Sequence, residues 1–236
     1  QNSNRAIAIC LLVVAALIFS MVILGGVTRL TRSGLSMVEW SPIMGAVPPL
    51  TQAQWRDTFD KYKQFPEYKK INRDISVEEF KSIFWFEYSH RLLGRIIGLA
   101  FLIPFLVFLA RRKIKKSDAP RYIAMFVLGG LQGLLGWYMV KSGLVNNPHV
   151  SQYRLTAHLI AAIAIYSYIL WTAWGLLLPR LAPQSPALQK LRRYGLALTA
   201  LIVVMILSGG FVAGTKAGLA YNTFPTMNGA WLPAGL

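Results

Sequence analysis

Apolar residues gather along the chain into five long runs, at 6–27, 92–110, 122–140, 155–178 and 194–214. Each run is 19 to 24 residues long, and about 20 helical residues cross the hydrocarbon core of a bilayer. The runs do not alternate with a charged face, as the helices of a soluble bundle would. The pattern therefore predicts an all-α polytopic membrane protein with five transmembrane helices. The first run is longer than the core of a signal peptide and has no clear cleavage site, so it is expected to stay. The long polar stretch 28–86 carries two capping signatures. Thr51-Gln-Ala-Gln54 precedes Trp55, Phe59 and Tyr62 and predicts a short amphipathic helix ending near Pro66. Ser76-Val-Glu-Glu79 opens a helix expected to run straight into the second span. The segment is either a small folded cap, the reading favoured here, or a lid over a site at membrane level.

Composition agrees with this picture. Apolar residues make up 55% of the 236 positions and charged residues 14%, with a mean hydropathy of +0.45. Soluble domains carry about 25% charged residues, so disorder is excluded and a soluble domain disfavoured. The net charge of +16, from 25 Lys and Arg against 9 Asp and Glu, resolves by position. Arg5 precedes the first span; Arg111, Arg112, Lys113, Lys115, Lys116 and Arg121 lie between the second and third. Arg180, Lys190, Arg192 and Arg193 lie between the fourth and fifth. The opposite side has Lys141 and Arg154 and the nearly balanced long loop, with nine basic and seven acidic residues. The positive-inside rule then places the N-terminus in the cytoplasm and 28–86 and 141–154 outside. Charge divided among loops, with no motif behind it, argues against nucleic-acid binding. The single cysteine, Cys10, excludes multi-cysteine metal sites and intrachain disulfides.

The chain also repeats itself. Residues 24–37 (LGGVTRLTRSGLSM) align with 208–221 (SGGFVAGTKAGLAY) at an offset of 184. Gly25 and Gly26 match Gly209 and Gly210, Thr31 matches Thr215, and Arg32 matches Lys216. Gly34 matches Gly218, Leu35 matches Leu219, and Trp40 later faces Phe224. Six matches in register make chance the poorer account, and membrane proteins are often built from such repeats. The expected organisation is a four-helix transmembrane bundle over 1–178, a basic inside linker over 179–193, and the first helix and outer loop of a second bundle over 194–236. A second bundle needs three further helices, so the chain is expected to be C-terminally truncated.

Ionisable groups inside a membrane are functional candidates by default. Glu87, His90, Arg91 and Arg95 cluster at the outer end of the second span, and His158 lies in the first turns of the fourth. His90 stands 21 residues before Arg111 and His158 22 before Arg180, which puts the two imidazoles at one depth. Two histidines on facing helices can supply both axial ligands of a haem iron, the reading preferred over a structural hydrogen-bonding role. Glu87 shares a helix face with His90 and is suited to orient the imidazole or act on a substrate. Arg91 and Arg95 are suited to haem propionates. The alternative for Glu87 and Arg91 is that they neutralise each other at i and i+4. Gly94, Gly98, Gly129, Gly130, Gly133 and Gly136 either let helices approach closely or make room for a flat macrocycle. His149, in an Asn-Asn-Pro-His loop, is expected to be exposed.

The stretches GGVTRLTRSGLSMVEW (25–40), EEFKSIFWFEYSHRLLGR (78–95), QGLLGWYMVKSGL (132–144), VSQYRLTAHL (150–159) and GGFVAGTKAGLAYNTFP (209–225) resemble haem A synthase, the CtaA-like family of cytochrome oxidase assembly. The likeness is to the type shared by mitochondria and many proteobacteria. It implies an eight-helix protein of two similar four-helix bundles and an oxidation: haem O is hydroxylated twice on its C8 methyl group, which dehydrates to the formyl group of haem A. It implies that His90 and His158 hold the substrate haem, that Glu87 is critical for activity, and that a haem b sits in the second bundle on histidines beyond Leu236. A cysteine pair found in the first outer loop of another branch has no counterpart here. The implied partners are membrane lipid, haem O with the haem O synthase that supplies it, and an electron donor of unstated identity. A homo-oligomer is open. The bacterial inner membrane is the expected location, with the mitochondrial inner membrane as the alternative. The rival functions are a bis-histidine b-type cytochrome that only transfers electrons, a transporter, and a non-catalytic oxidase assembly factor.

Overall fold

The computed structural model describes residues 2–39, 44–145, 148–178, 186–223 and 225–232. Trp40, Arg180 and Phe224 lie outside the described residues. Among the described residues five helices are long and apolar enough to cross a membrane: α1 (Asn2–Leu30), α4 (Val77–Ala110), α5 (Ala119–Lys141), α6 (Gln152–Leu177) and α7 (Pro186–Thr215). The outer loop adds α2 (Gln52–Tyr62) and α3 (Pro66–Lys70), and α8 (Ala217–Ala220) follows α7. The chain is thus an all-α, multi-pass membrane protein. Four of these helices contain their apolar run whole, and α6 starts three residues before its run and ends one residue short of it. α7 begins at Pro186, so Lys190, Arg192 and Arg193, assigned above to a linker, belong to its first turns.

Successive spans run antiparallel, and the side-chain layers show it. On α1, Gly25 packs against His90 and Met21 against Gly94 of α4. Four residues back along one helix meet four residues forward along the other. On α5 and α6, Gly136 meets His158 and the Tyr138 ring meets Arg154. On α6 and α7, Thr156 meets Gly210 and Gln152 meets Gly214. α1 packs against both α4 and α6, α5 closes the ring between those two, and α7 packs on the far side of α6. α4 and α6 therefore lie diagonally across the ring.

The apolar core fills one end of this ring. Ile7, Leu11, Val14 and Ala15 of α1, Phe101 of α4, Tyr122 and Met125 of α5, and Ile165, Ile169 and Ala173 of α6 form one buried cluster with Ile114. All lie toward the ends of their helices that adjoin Arg5, the basic 111–121 connection and the α6–α7 connection. A second cluster lies outside the membrane-spanning ring. Trp55, Phe59 and Tyr62 of α2 pack on Phe80, Phe84 and Tyr88, the outward extension of α4. Ring centroids are 5.0 Å apart for Trp55 and Phe84 and for Tyr62 and Phe80. Both predicted capping boxes form, at Thr51 with Gln54 and at Ser76 with Glu79. α2 ends at Tyr62, and a further short helix, α3, opens on Pro66 at its first position, a placement that needs no backbone N–H. The segment is a folded unit seated on α4.

At the helix end the two copies of the repeat share the same threonine bonds and backbone. Thr31 Oγ1 donates to Val27 and Thr28 carbonyls at 2.9 and 3.3 Å; Thr215 Oγ1 donates to Phe211 and Val212 at 2.8 and 3.3 Å. Arg32 and Lys216, 184 positions apart, both take left-handed backbone, at φ 54° and 58°. Arg29 of α1 donates to the carbonyl of its own repeat mate, Ala213 of α7.

Within the cap, the Glu67 carboxyl is buried and accepts from the Tyr62 hydroxyl at 3.0 Å, while Asn72 Nδ2 donates to that hydroxyl at 2.8 Å. Burial, with the nearby Glu87 charge adding and the Tyr62 bond opposing, pushes Glu67 up to about 7 from 4.5. A carboxyl raised in the folded state holds its proton more tightly there than in the unfolded chain. Its contribution is full below about pH 4.5 and is lost as pH rises through about 7, a change on the order of 3 kcal/mol. Limited proteolysis of 44–76 is expected to accelerate between pH 5 and 8, and Glu67→Gln to flatten that dependence. At the α6–α7 contact, a Cβ on Gly214 would meet the Gln152 backbone, 2.6 Å from its Cα. Gly214→Val is expected to lower thermal stability in detergent, whereas the same change at Gly218, with nothing nearby, is expected to be close to neutral.

Candidate haem-binding site

Between the inner apolar core and the outer aromatic cap lies a layer of different composition. His90 projects from α4 and His158 from α6, the two diagonal helices of the ring. His90 stands 20 residues before the end of α4 and His158 19 before the end of α6, a difference of one residue, or about 1.5 Å of rise. Each imidazole lies against a glycine of a neighbouring helix. A Cβ on Gly25 of α1 would sit 3.2 Å from His90 Nε2, and one on Gly136 of α5 would sit 3.0 Å from His158 Cε1. The Gly25–Gly26 pair and the α5 glycines were visible in the sequence, but not which of them face histidines. Gly129, Gly130 and Gly133 have open space where a Cβ would stand, so of the four α5 glycines only Gly136 is required by a close side chain.

His158 Nδ1 is buried and has no hydrogen-bond partner among the described residues, and neither has Gln132 Oε1. The Gln132 amide donates to the His158 carbonyl at 2.8 Å. A buried polar atom left unpaired is costly, and an imidazole nitrogen in that state is suited to a ligand. Among the described residues no three His, Cys, Asp or Glu side chains gather as a metal site. The donor set is thus two imidazoles across the diagonal, each cradled by a glycine. It fits a flat iron macrocycle, whose own ring nitrogens would supply the rest of the coordination, so that no further side chains are needed.

Glu87 lies on the outer edge of this layer and is only 3% exposed. Its Oε2 accepts from Ser36 Oγ and from the Met37 N–H, both at 2.8 Å. Its Oε1 pairs with Arg91 at 2.5 Å. Arg91 also donates to the carbonyls of Met37 at 2.8 Å and Glu39 at 3.1 Å. Glu87 and Arg91 therefore do neutralise each other, one of the two sequence readings, and together they clamp the turn that follows α1. No hydrogen bond joins Glu87 to His90 among the described residues, so the carboxylate does not orient that imidazole. Arg91 is committed to Glu87 and to two loop carbonyls; Arg95 lies one turn further in on the same helix. Ser36, which the sequence reading did not single out, is the side chain that fixes the Glu87 carboxylate. Its repeat mate is Ala220, and that loss of a hydroxyl was the available signal. His149 is exposed as expected, with its Nδ1 3.3 Å from Lys216 Nζ.

The family model described as COX15-CtaA, cytochrome oxidase assembly protein, matches residues 8–236. A curated relative from Nitrosospira multiformis named "Heme A synthase" is 58% identical over 99% of this chain and 66% of its own length. Relatives of the same name from Nitrosomonas eutropha and Parvibaculum lavamentivorans are 52% and 50% identical over 100% and 99% of this chain, and 67% of each relative. No solved structure matches the chain. The chain spans about two thirds of the length of these relatives. With the family model matching residues 8–236 and relatives 50–58% identical over nearly the whole chain, this chain belongs to the COX15-CtaA family of cytochrome oxidase assembly proteins.

Proposed function

We propose that the protein is a haem A synthase, oxidising the C8 methyl group of haem O to a formyl group for cytochrome oxidase. The observation that carries this reading is the His90–His158 pair, at one depth on diagonal helices and backed by glycines. The name borne by relatives about 50–58% identical supports the chemistry assigned to it. His90 and His158 are the axial ligands of the substrate haem, so the unit 1–178 is the substrate bundle. Residues 194–236, with the second copy of the repeat, open a second unit, which is assigned a haem b. When bound, the haem iron supplies the redox chemistry. The protein's part is to hold and shield. Gly25 and Gly136 let the imidazoles lie close to the helix backbones. The inner apolar core and the outer aromatic cap exclude water from both ends of the layer. Glu87 is the residue on which activity depends, with the role of proton acceptor at the methyl group being oxidised. Ser36, Met37 and Arg91 hold it in one orientation.

The membrane is the bacterial inner membrane, with the N-terminus in the cytoplasm and the cap outside. In this orientation the basic ends of the ring, with Arg111, Arg112, Lys113, Lys115 and Lys116, face inward. An electron donor and delivery of haem O by its synthase complete the partners proposed. A b-type cytochrome is the second reading, favoured by the same two histidines. The activity of Glu87 variants separates them, because the Glu87–Arg91 clamp by itself would serve either protein.

The test is haem extraction from cells that make haem O, lack haem A synthase of their own and express the full-length protein. Haem A is expected with wild type. Glu87→Gln, which keeps the shape and two acceptor contacts, is expected to cut conversion by about a hundredfold or more with haem still bound; undiminished conversion overturns its role. His90→Ala and His158→Ala are each expected to remove low-spin haem absorbance from a background lacking the second haem site. Gly136→Ala, which pushes a methyl group onto the His158 ring, is expected to perturb that low-spin signal, whereas Gly133→Ala, in open space, is expected to leave it unchanged. Haem retained without any haem A formed would favour the cytochrome reading, and no haem absorbance at all the transporter.

A further inference from the structure

A cavity of about 500 Å³ opens at the outer ends of α5 and α6, lined by Trp137, Tyr138, Lys141, Ser142, Val145 and Arg154. It lies outside the layer described above and contains two cations and no acid. Neither Lys141 nor Arg154 has an ion-pair partner among the described residues. Arg154 is held in place: its guanidinium donates to the Tyr138 carbonyl at 2.8 Å and lies 3.7 Å from the centre of the Tyr138 ring. Lys141 Nζ stands 5.0 Å from the Trp137 ring. Stacking and one bond leave Arg154 with further N–H donors and Lys141 with three. A fixed fork and a mobile ammonium side by side suit one or two carboxylates.

Position narrows the ligand. Arg154 is four residues before His158, on the same face of α6 and one turn, about 5.4 Å, further out. The Arg154–Tyr138 contact and the His158–Gly136 contact are successive layers of one α5–α6 seam. A macrocycle ligated at His158 with acidic arms directed outward presents those arms at this level. Of the two arginines the sequence offers for them, Arg91 already serves Glu87 and the carbonyls of Met37 and Glu39, so taking a carboxylate there would break the clamp on the loop, and Arg95 lies beyond His90 on α4, on the side away from arms directed outward. We propose that Lys141 and Arg154 receive the propionate carboxylates of the porphyrin substrate in this cavity, a proposal that rests on the haem A synthase reading and names its substrate anchor.

The test is a titration of the full-length protein in detergent with haemin and with haemin dimethyl ester, which lacks the two negative charges. The readout is the His158-dependent part of the Soret change. Lys141→Gln and Arg154→Gln are each expected to weaken haemin binding by up to about fivefold, the upper end of the range for exposed charge pairs, with the ester unaffected. Arg154→Lys, which keeps the charge, is expected to restore part of the loss, and Lys141→Gln, at an exposed position, tests the site without touching the α5–α6 packing. Equal loss for haemin and ester, or unchanged haemin affinity, overturns the proposal. Unchanged haemin affinity together with loss of co-purifying anionic phospholipid from the double variant would assign the cavity to a lipid phosphate instead and also overturn it. If wild type shows no His158-dependent haemin signal, it is the functional reading that fails.

Discussion

A buried carboxylate joins the two halves of this molecule. Glu87 sits where the membrane ring ends and the outer cap begins, and a lone ionised group there would be prohibitively costly. It is tolerated because Arg91, Ser36 and the Met37 backbone satisfy it together. The same contacts draw the turn after α1 down onto α4, a fold-defining constraint because α1 and α4 are separated by the whole cap. Removing Arg91 would leave Glu87 buried and charged; removing Glu87 would do the same to Arg91. The pair is therefore structural whatever chemistry Glu87 also performs.

Above and below that junction the interior is layered by composition. Leu, Ile, Phe and Met fill the inner end of the ring, and aromatic rings of α2 and α4 fill the cap. Between them stand two histidines with glycines at their backs. Lipid gives no hydrophobic drive for helix association, so close packing does the work, and each glycine here admits a particular neighbour: His90 at Gly25, Met21 at Gly94, His158 at Gly136, Thr156 at Gly210. The small residues that let the helices approach are, at two places, the ones that seat the imidazoles.

The internal repeat shows where the two copies have parted. The helix end is conserved in geometry, with matched threonine bonds and matched left-handed residues at Arg32 and Lys216. The turn beyond it is not. Ser33 and Ser36 in the first copy face Ala217 and Ala220 in the second, and only the first is built to hold a carboxylate. The Arg29 bond to Ala213 ties the two copies together at equivalent positions.

The sequence by itself determined the spans, the cap helices and the candidate ligands, because each is a local property. Twenty apolar residues demand a helix in lipid, Thr51 with Gln54 and Ser76 with Glu79 start helices wherever they fall, and His90 and His158 have fixed depths once their helices are placed. Tertiary structure decided what those residues meet. Nothing local says that Gly136 rather than Gly133 faces a histidine, that Arg91 turns to Met37 and Glu39 rather than to a substrate, or that Ser36 reaches Glu87 across 51 positions. Such pairings depend on the rotation and height at which one helix packs against another. That choice is set by the sum of many small contacts and steric exclusions across the ring, and no single segment carries it.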